Sequence, residues 1–334
     1  MPFEIASVQD ERLFHTLQEK LKQRFGKEVL SSPLGKIALQ IGLIYRSGNP
    51  ILKKPSLLIF AGDHGITRDF KGRISQENTS DMVLHFLEDA RPLNRLCREQ
   101  KITLRVVDLG VDHHFENLLS YWLHHGSEHI NRKVDLGTQN FTHSPAMTTA
   151  QCTEAFETGA DLVRQERNNG CNILAIGAIG AGNRISAIAL MVSLLDIRQS
   201  EIELSAEEDD IVFRALRKHP KTHDAFTLLT LYGGYEIAAM TGAFLQAAEN
   251  KMVLLVDGFV AAAALLVASN INAVVMEYVI FCDEYAEPHY RQILDHFKLE
   301  ALLHTGMSSG DGTGAVLAYP LIKSAVSFLR EQKL

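Results

Sequence analysis

Five short apolar runs constrain the fold of this chain more than any other feature. They lie at residues 57–60, 104–107, 173–176, 253–256 and 274–280, and are β-branched or leucine-rich, apolar on both faces. Such runs belong to parallel strands covered by helices on both sides. Helical patterns separate them, at 79–99, 149–168, 207–219, 236–249 and 259–268. This alternation predicts an α/β fold with a doubly wound, mostly parallel, Rossmann-like sheet. Arg105 and Glu277 interrupt two of the runs, which places those two nearer a sheet edge. Pro92 divides the first helical pattern, and Thr148 or Thr149 suits the N-cap of the second. The acidic stretch 196–210 reads as a solvated loop or a helix start.

The ends of the chain differ from its middle. Helical patterns at 10–25 and 34–45 precede any buried strand, and the last 30 residues are helical again. A small helical domain built from both ends is expected, with residues 1–50 and 306–334 flanking an α/β core at 51–305. With 334 residues, 46 % of them apolar, the chain can bury a sizeable core. A net charge of −7 without long basic runs speaks against non-specific nucleic-acid binding. No apolar stretch reaches the roughly 18 residues of a membrane span, and no signal peptide is visible. Cys97, Cys152, Cys171 and Cys282 are widely spaced and read as reduced thiols. A cytoplasmic protein is expected.

In open α/β sheets, ligands bind beyond the carboxyl ends of the strands. The loops there carry Asp63-His64, Asp108, Gly177–Arg184, Asp257-Gly258, Glu287 with His289, and finally Gly310-Asp311-Gly312-Thr313-Gly314. Gly177, Gly180 and Gly182 precede a helix, an arrangement that lets a backbone approach an anion. A tight strand-to-helix turn accounts for them equally well. Asp311 sits between glycines and fits either a helix N-cap or a rigidly held general base. Asp63-His64 fits a metal pair, a catalytic dyad or a structural pair. His113-His114 and His124-His125 read as solvent-facing. HExxH, Walker A and GxSxG motifs do not occur, so neither a metal centre nor Ser-His-Asp hydrolysis is expected.

Taken together and in order, these loops resemble the nicotinate-nucleotide:dimethylbenzimidazole phosphoribosyltransferase family. The segments that carry the resemblance include Phe60–Ile66, Val107–Val111, Gly137–Phe141, Pro145–Thr148, Gly233–Gly242, Leu255–Phe259, Ala286–His289 and Gly310–Ala315. The resemblance implies transfer of ribose 5-phosphate from nicotinate mononucleotide to an aromatic base, with inversion at C1′. It further implies small-molecule partners only, no cofactor or metal, and a homodimer. Asp311 would take the place of the family's catalytic carboxylate. Gly177, Gly180, Gly182, Asn183, Arg184, Gly312, Thr313 and Gly314 would hold the donor and its phosphate. Asp63, His64, Asp81, Met82, Ser309, Glu287 and His289 would form the acceptor pocket.

The departures from the family pattern fall at the chemistry. Asp311 replaces Glu, shortening the side chain by roughly 1.5 Å, one C–C bond. A displacement of about 1 Å can cost on the order of 100-fold. Ala178 replaces an acidic residue, Arg184 replaces Thr, and Ser309 replaces Leu. The family's glycine-rich segment with its lysine is not recognisable between Met191 and Asp209. A more polar acceptor than dimethylbenzimidazole is one expectation. A catalytically degenerate homologue that binds nucleotide or base as a sensor or partner subunit is the alternative.

Overall fold

A computed structural model describes residues 3–70, 77–115, 128–284, 287–307 and 309–330. His124, His125 and Ala286 lie outside them. Six strands form one sheet: β1 (Ser56–Gly62), β2 (Thr103–Gly110), β3 (Glu128–Asn131), β4 (Ile173–Ile179), β5 (Val253–Val256) and β6 (Val279–Phe281). All neighbours pair in parallel, in the order β3-β2-β1-β4-β5-β6. The expected doubly wound parallel sheet is therefore present. The strand order reverses between β1 and β4, which makes their carboxyl ends the switch point.

Two details of the sheet correct the sequence reading. The β2 strand is internal, because β3 pairs outside it from Arg105 to Asp108. Arg105 is tolerated there because its guanidinium bonds the Glu128 and Glu166 carboxylates. The run at 274–280 yields strand only from Val279, since Ala273–Tyr278 is a 3-10 helix. That strand is the edge, and Glu277 precedes it, its carboxylate accepting from the Val8 N–H.

Helices follow their capping signals. They are α1 (Glu11–Phe25), α2 (Pro33–Ile44), α3 (Glu77–Leu87), α4 (Pro92–Gln100), α5 (Thr149–Asn168), α6 (Asn183–Leu194), α7 (Ala206–Lys218), α8 (Ala225–Tyr232), α9 (Tyr235–Glu249), α10 (Phe259–Ile271), α11 (Pro288–Phe297) and α12 (Thr313–Leu329). Asp10 caps α1, Ser32 caps α2 ahead of Pro33, and Thr148 with Gln151 makes a capping box on α5. Pro92 opens α4, separating it from α3. His113 and His114 are exposed, as read from the sequence.

The two chain ends pack on each other. Gly42 of α2 lies against Leu17 of α1 and Leu329 of α12. Arg24 donates to the Phe328 and Arg330 carbonyls, and the Phe25 and Phe328 rings stack at 4.6 Å. Leu17, Ile41 and Leu329 belong to the same buried cluster as the strands. Helices α9 and α10 are buried almost throughout, as their alanine-rich, apolar sequences require. Among the described residues no helix is long and apolar enough to cross a membrane.

Candidate active site

A cavity of about 350 Å³ opens at the carboxyl ends of β4, β5 and β6. Its walls are Met82 of α3, Ala178, Ile179 and Gly180 after β4, Asn183 and Arg184 of α6, Phe259 and Val260 of α10, Glu287, and Ser309-Gly310. Six residues expected from the sequence thus meet in one place: Gly180, Asn183, Arg184, Met82, Ser309 and Glu287. Asp81 is exposed and lies outside the lining, so it adds no acidic group to the cavity. A larger cavity between α5, α8 and α9 lies apart from these loops.

Asp63 and His64 stand behind the cavity and hold its floor. The Asp63 carboxylate accepts from the Ala181 and Asp112 N–H groups at 3.1 and 2.8 Å. Burial pushes its pKa up, against these bonds and one from Thr79. The His64 N–H donates to the Ala181 carbonyl. Its ring bridges Ser186 (Nδ1 to Oγ, 2.7 Å) and Glu236 (Nε2 to Oε1, 2.6 Å). All three side chains are wholly buried. Both residues therefore pin the loop at 180–186.

The glycines of that loop serve the packing of backbone on backbone. A Cβ on Gly180 would sit 1.9 Å from the Gly62 carbonyl oxygen, and one on Gly177 2.3 Å from the Asp311 carbonyl carbon. Gly182 adopts φ +86° as the N-cap of α6. The loop leaves the main-chain N–H groups of Asn183 and Arg184 without an acceptor among the described residues. Donors at a helix start facing a cavity suit an anion.

Arg184 sits in an ionic cluster at the cavity rim. Its Nε donates to Glu287 Oε2 at 2.7 Å, Nη2 reaches Glu287 Oε1 at 3.3 Å, and Nη1 bonds Glu208 of α7. Glu287 also bonds the His289 ring and caps α11. Burial raises its pKa, but the bonds from His289 and Arg184 outweigh this and hold it at about 2. His289 is buried outside the lining, between Glu287, the Glu203 carbonyl and the Phe259 ring.

The last glycine loop has two of the N-terminal donors of α12, those of Thr313 and Gly314, occupied. Asp311 Oδ1 accepts from the Thr313 N–H (3.1 Å) and Oγ1 (2.6 Å), and Asp257 Oδ2 accepts from the Gly314 N–H (2.8 Å). Two carboxylates thus occupy the positive end of the helix dipole. Asp311 is 2 % exposed; its Oδ2 lies 3.8 Å from Arg91 Nη2, and the residue is not part of the cavity lining. Gly310, next to it, is.

A family profile described as Phosphoribosyltransferase matches residues 7–334. The chain belongs to the phosphoribosyltransferase family. It is 38 % identical to the nicotinate-nucleotide–dimethylbenzimidazole phosphoribosyltransferase of Dechloromonas aromatica (strain RCB), over 98 % of this chain and 95 % of that one. It is 38 % identical to the enzyme of that name from Ralstonia nicotianae, over 89 % and 85 %. The crystal structure of the similarly named enzyme from Thermus thermophilus superposes with a TM-score of 0.88 at 27 % identity, covering 96 % of each chain.

Within this phosphoribosyltransferase, sequence reasoning missed Glu236, Ser186, Glu208 and the wall formed by Ile179, Phe259 and Val260. Glu236 had a signal: it is the one charge in the apolar stretch from Leu228 to Ala248. Glu208 had none, because only the packing of α7 beside α6 brings it to Arg184.

Proposed function

We propose that this phosphoribosyltransferase moves ribose 5-phosphate from nicotinate mononucleotide to an aromatic nitrogen base, dimethylbenzimidazole or a more polar analogue. The acceptor nitrogen attacks C1′ from the face opposite the pyridinium. The C1′–N bond breaks, nicotinate leaves with the bonding pair, and an α-riboside forms by inversion. The donor already carries a cationic leaving group, so the protein's work is to position both reactants and remove the acceptor's proton.

The observation that carries this reading is the cavity itself. It joins the β4 glycine loop to the last glycine loop beyond the carboxyl ends of β4, β5 and β6, with free N–H donors and Arg184 on one side and Ser309-Gly310 on the other. The phosphate sits on the start of α6. Phe259, Val260 and Met82 offer apolar surface to flat rings. Ser309 supplies a hydroxyl there, which favours an acceptor with a hydrogen-bonding edge. Asp311, next to Gly310 of the lining, takes the proton through Oδ2, the oxygen that Thr313 does not engage and that Arg91 approaches at 3.8 Å. The reading carries with it a homodimer in the cytoplasm that uses neither metal nor nucleic acid.

The test is nicotinate release from nicotinate mononucleotide with a panel of azoles, purines and phenols. Release with at least one acceptor, lost in Asp311→Asn, is expected. Nucleotide binding without release for any acceptor would establish the degenerate homologue instead.

A further inference from the structure

The Arg184 cluster is asymmetric in a way that assigns its members different roles. Glu287 grips the guanidinium side-on, through Nε and Nη2. Fork geometry of this kind is the stronger form of the pair. Glu287 is also fixed as the cap of α11 and by His289. Glu208 makes one contact, to Nη1, through Oε1 alone. Its other oxygen closes the capping box of α7, accepting from the Ser205 N–H at 3.0 Å and Oγ at 2.8 Å. If Arg184 left, Glu208 would keep those bonds, whereas Glu287 would lose its fork. The Arg184 side chain is 38 % exposed and that of Glu208 18 %, so this single contact is partly screened by solvent.

Arg184 is the one cation among the described residues that line the cavity. It pairs with two carboxylates, Glu287 of the lining and Glu208 outside it, which together outweigh its charge. An incoming phosphate monoester must draw part of the guanidinium away from one of them. We propose that Glu208 is a specificity-determining residue, which sets the cavity's affinity for phosphate monoesters by competing for the Nη1 edge of Arg184. Phosphate takes that edge while Glu287 keeps the fork and so fixes the direction of the guanidinium. This rests on the reading that Arg184 meets the donor's phosphate.

The test is calorimetric binding of nicotinate mononucleotide to the full chain and three variants. Glu208→Gln removes the competing charge and is expected to tighten binding about three- to fivefold, the worth of one screened ion pair. Ser205→Ala breaks the capping box, leaves the Glu208 charge in place, and is expected not to tighten it. Arg184→Gln is expected to weaken binding at least tenfold; Arg184→Lys, which keeps the charge and loses the fork, replaces it if the Gln variant does not fold. Unchanged or weaker binding by Glu208→Gln, with Arg184→Gln still weakened, overturns the proposal alone. Tightening by Ser205→Ala equal to that of Glu208→Gln overturns it as well, because loosening of α7 then explains the gain. Wild-type affinity in Arg184→Gln overturns the donor reading on which it stands.

Discussion

His64 Nε2 lies 2.6 Å from Glu236 Oε1, and both side chains are wholly buried. The histidine's other nitrogen holds Ser186, one turn into α6. A single buried pair thus connects α9 to the helix whose start faces the cavity. Glu236 Oε2 has no hydrogen-bond partner among the described residues, so the pair is held by one strong contact.

Glu236→Ala should be costly. It leaves a buried imidazole without its acceptor and opens a void, an effect of about 3–5 kcal/mol. Glu236→Gln keeps one acceptor oxygen and should cost about 1–3 kcal/mol. Denaturant melts of the two variants measure both. Equal, negligible losses would show that the pair does not anchor α6.

Asp311 carries two expected roles that one substitution separates. Gly312, not Asp311, is the N-cap of α12; Asn offers the same Oδ1 acceptor to the N–H two residues on, so Asp311→Asn should preserve the Thr313 contacts and alter stability by less than about 1 kcal/mol. As the proton acceptor it should lower the rate of nicotinate release by about 10²–10⁴-fold. A melt and a rate assay on the same sample check this. An unchanged rate would leave Asp311 only the structural role of holding Thr313.

Adding one carbon to Gly180 should damage the loop by steric conflict alone, with no charge or side-chain hydrogen bond removed. The new Cβ would lie 1.9 Å from the Gly62 carbonyl oxygen, so β1 and the loop must separate. Gly180→Ala is expected to cost about 1–3 kcal/mol, as overpacking does, and to weaken donor binding. Thermal unfolding together with calorimetry would detect both losses.

Glu287 makes stability depend on acidity in a defined direction. Its carboxyl titrates at about 2 in the fold against 4.5 unperturbed. A lowered carboxylate pKa stabilises fully above the unperturbed value and is lost as pH falls from about 4.5 to about 2. Partial exposure discounts the effect to about 1–2 kcal/mol at neutral pH. Glu287→Gln should therefore be less stable than the parent at pH 7, with the gap closing toward pH 2. A gap that stays constant with pH would contradict the assignment.

The order of secondary structure was legible because burial on both faces writes itself into local composition. Strands β1, β2, β4 and β5 are runs of Leu, Ile and Val, and Thr148, Ser205 and Asp10 announce helix starts within a few residues. The β3 strand escaped because Glu-His-Ile-Asn is mostly polar, its one buried position being His129, and only four residues long. Arg105 misled for a related reason: its charge reads as an edge signal, while the neutralising Glu128 and Glu166 lie 23 and 61 residues away.

The sequence by itself determined the parallel sheet, the loops that end at its carboxyl edge and the family to which they belong, because periodicity and glycine spacing are local properties of the chain. Only the tertiary structure decided what each polar side chain in those loops does. It turned Asp63 and His64 inward to hold the loop floor, left Asp81 outside, set Asp257 and Asp311 on the donors of α12, and gave Arg184 two carboxylate partners. The roles of such groups depend on partners separated by up to 172 residues in the chain, and nothing in local sequence encodes distances of that kind.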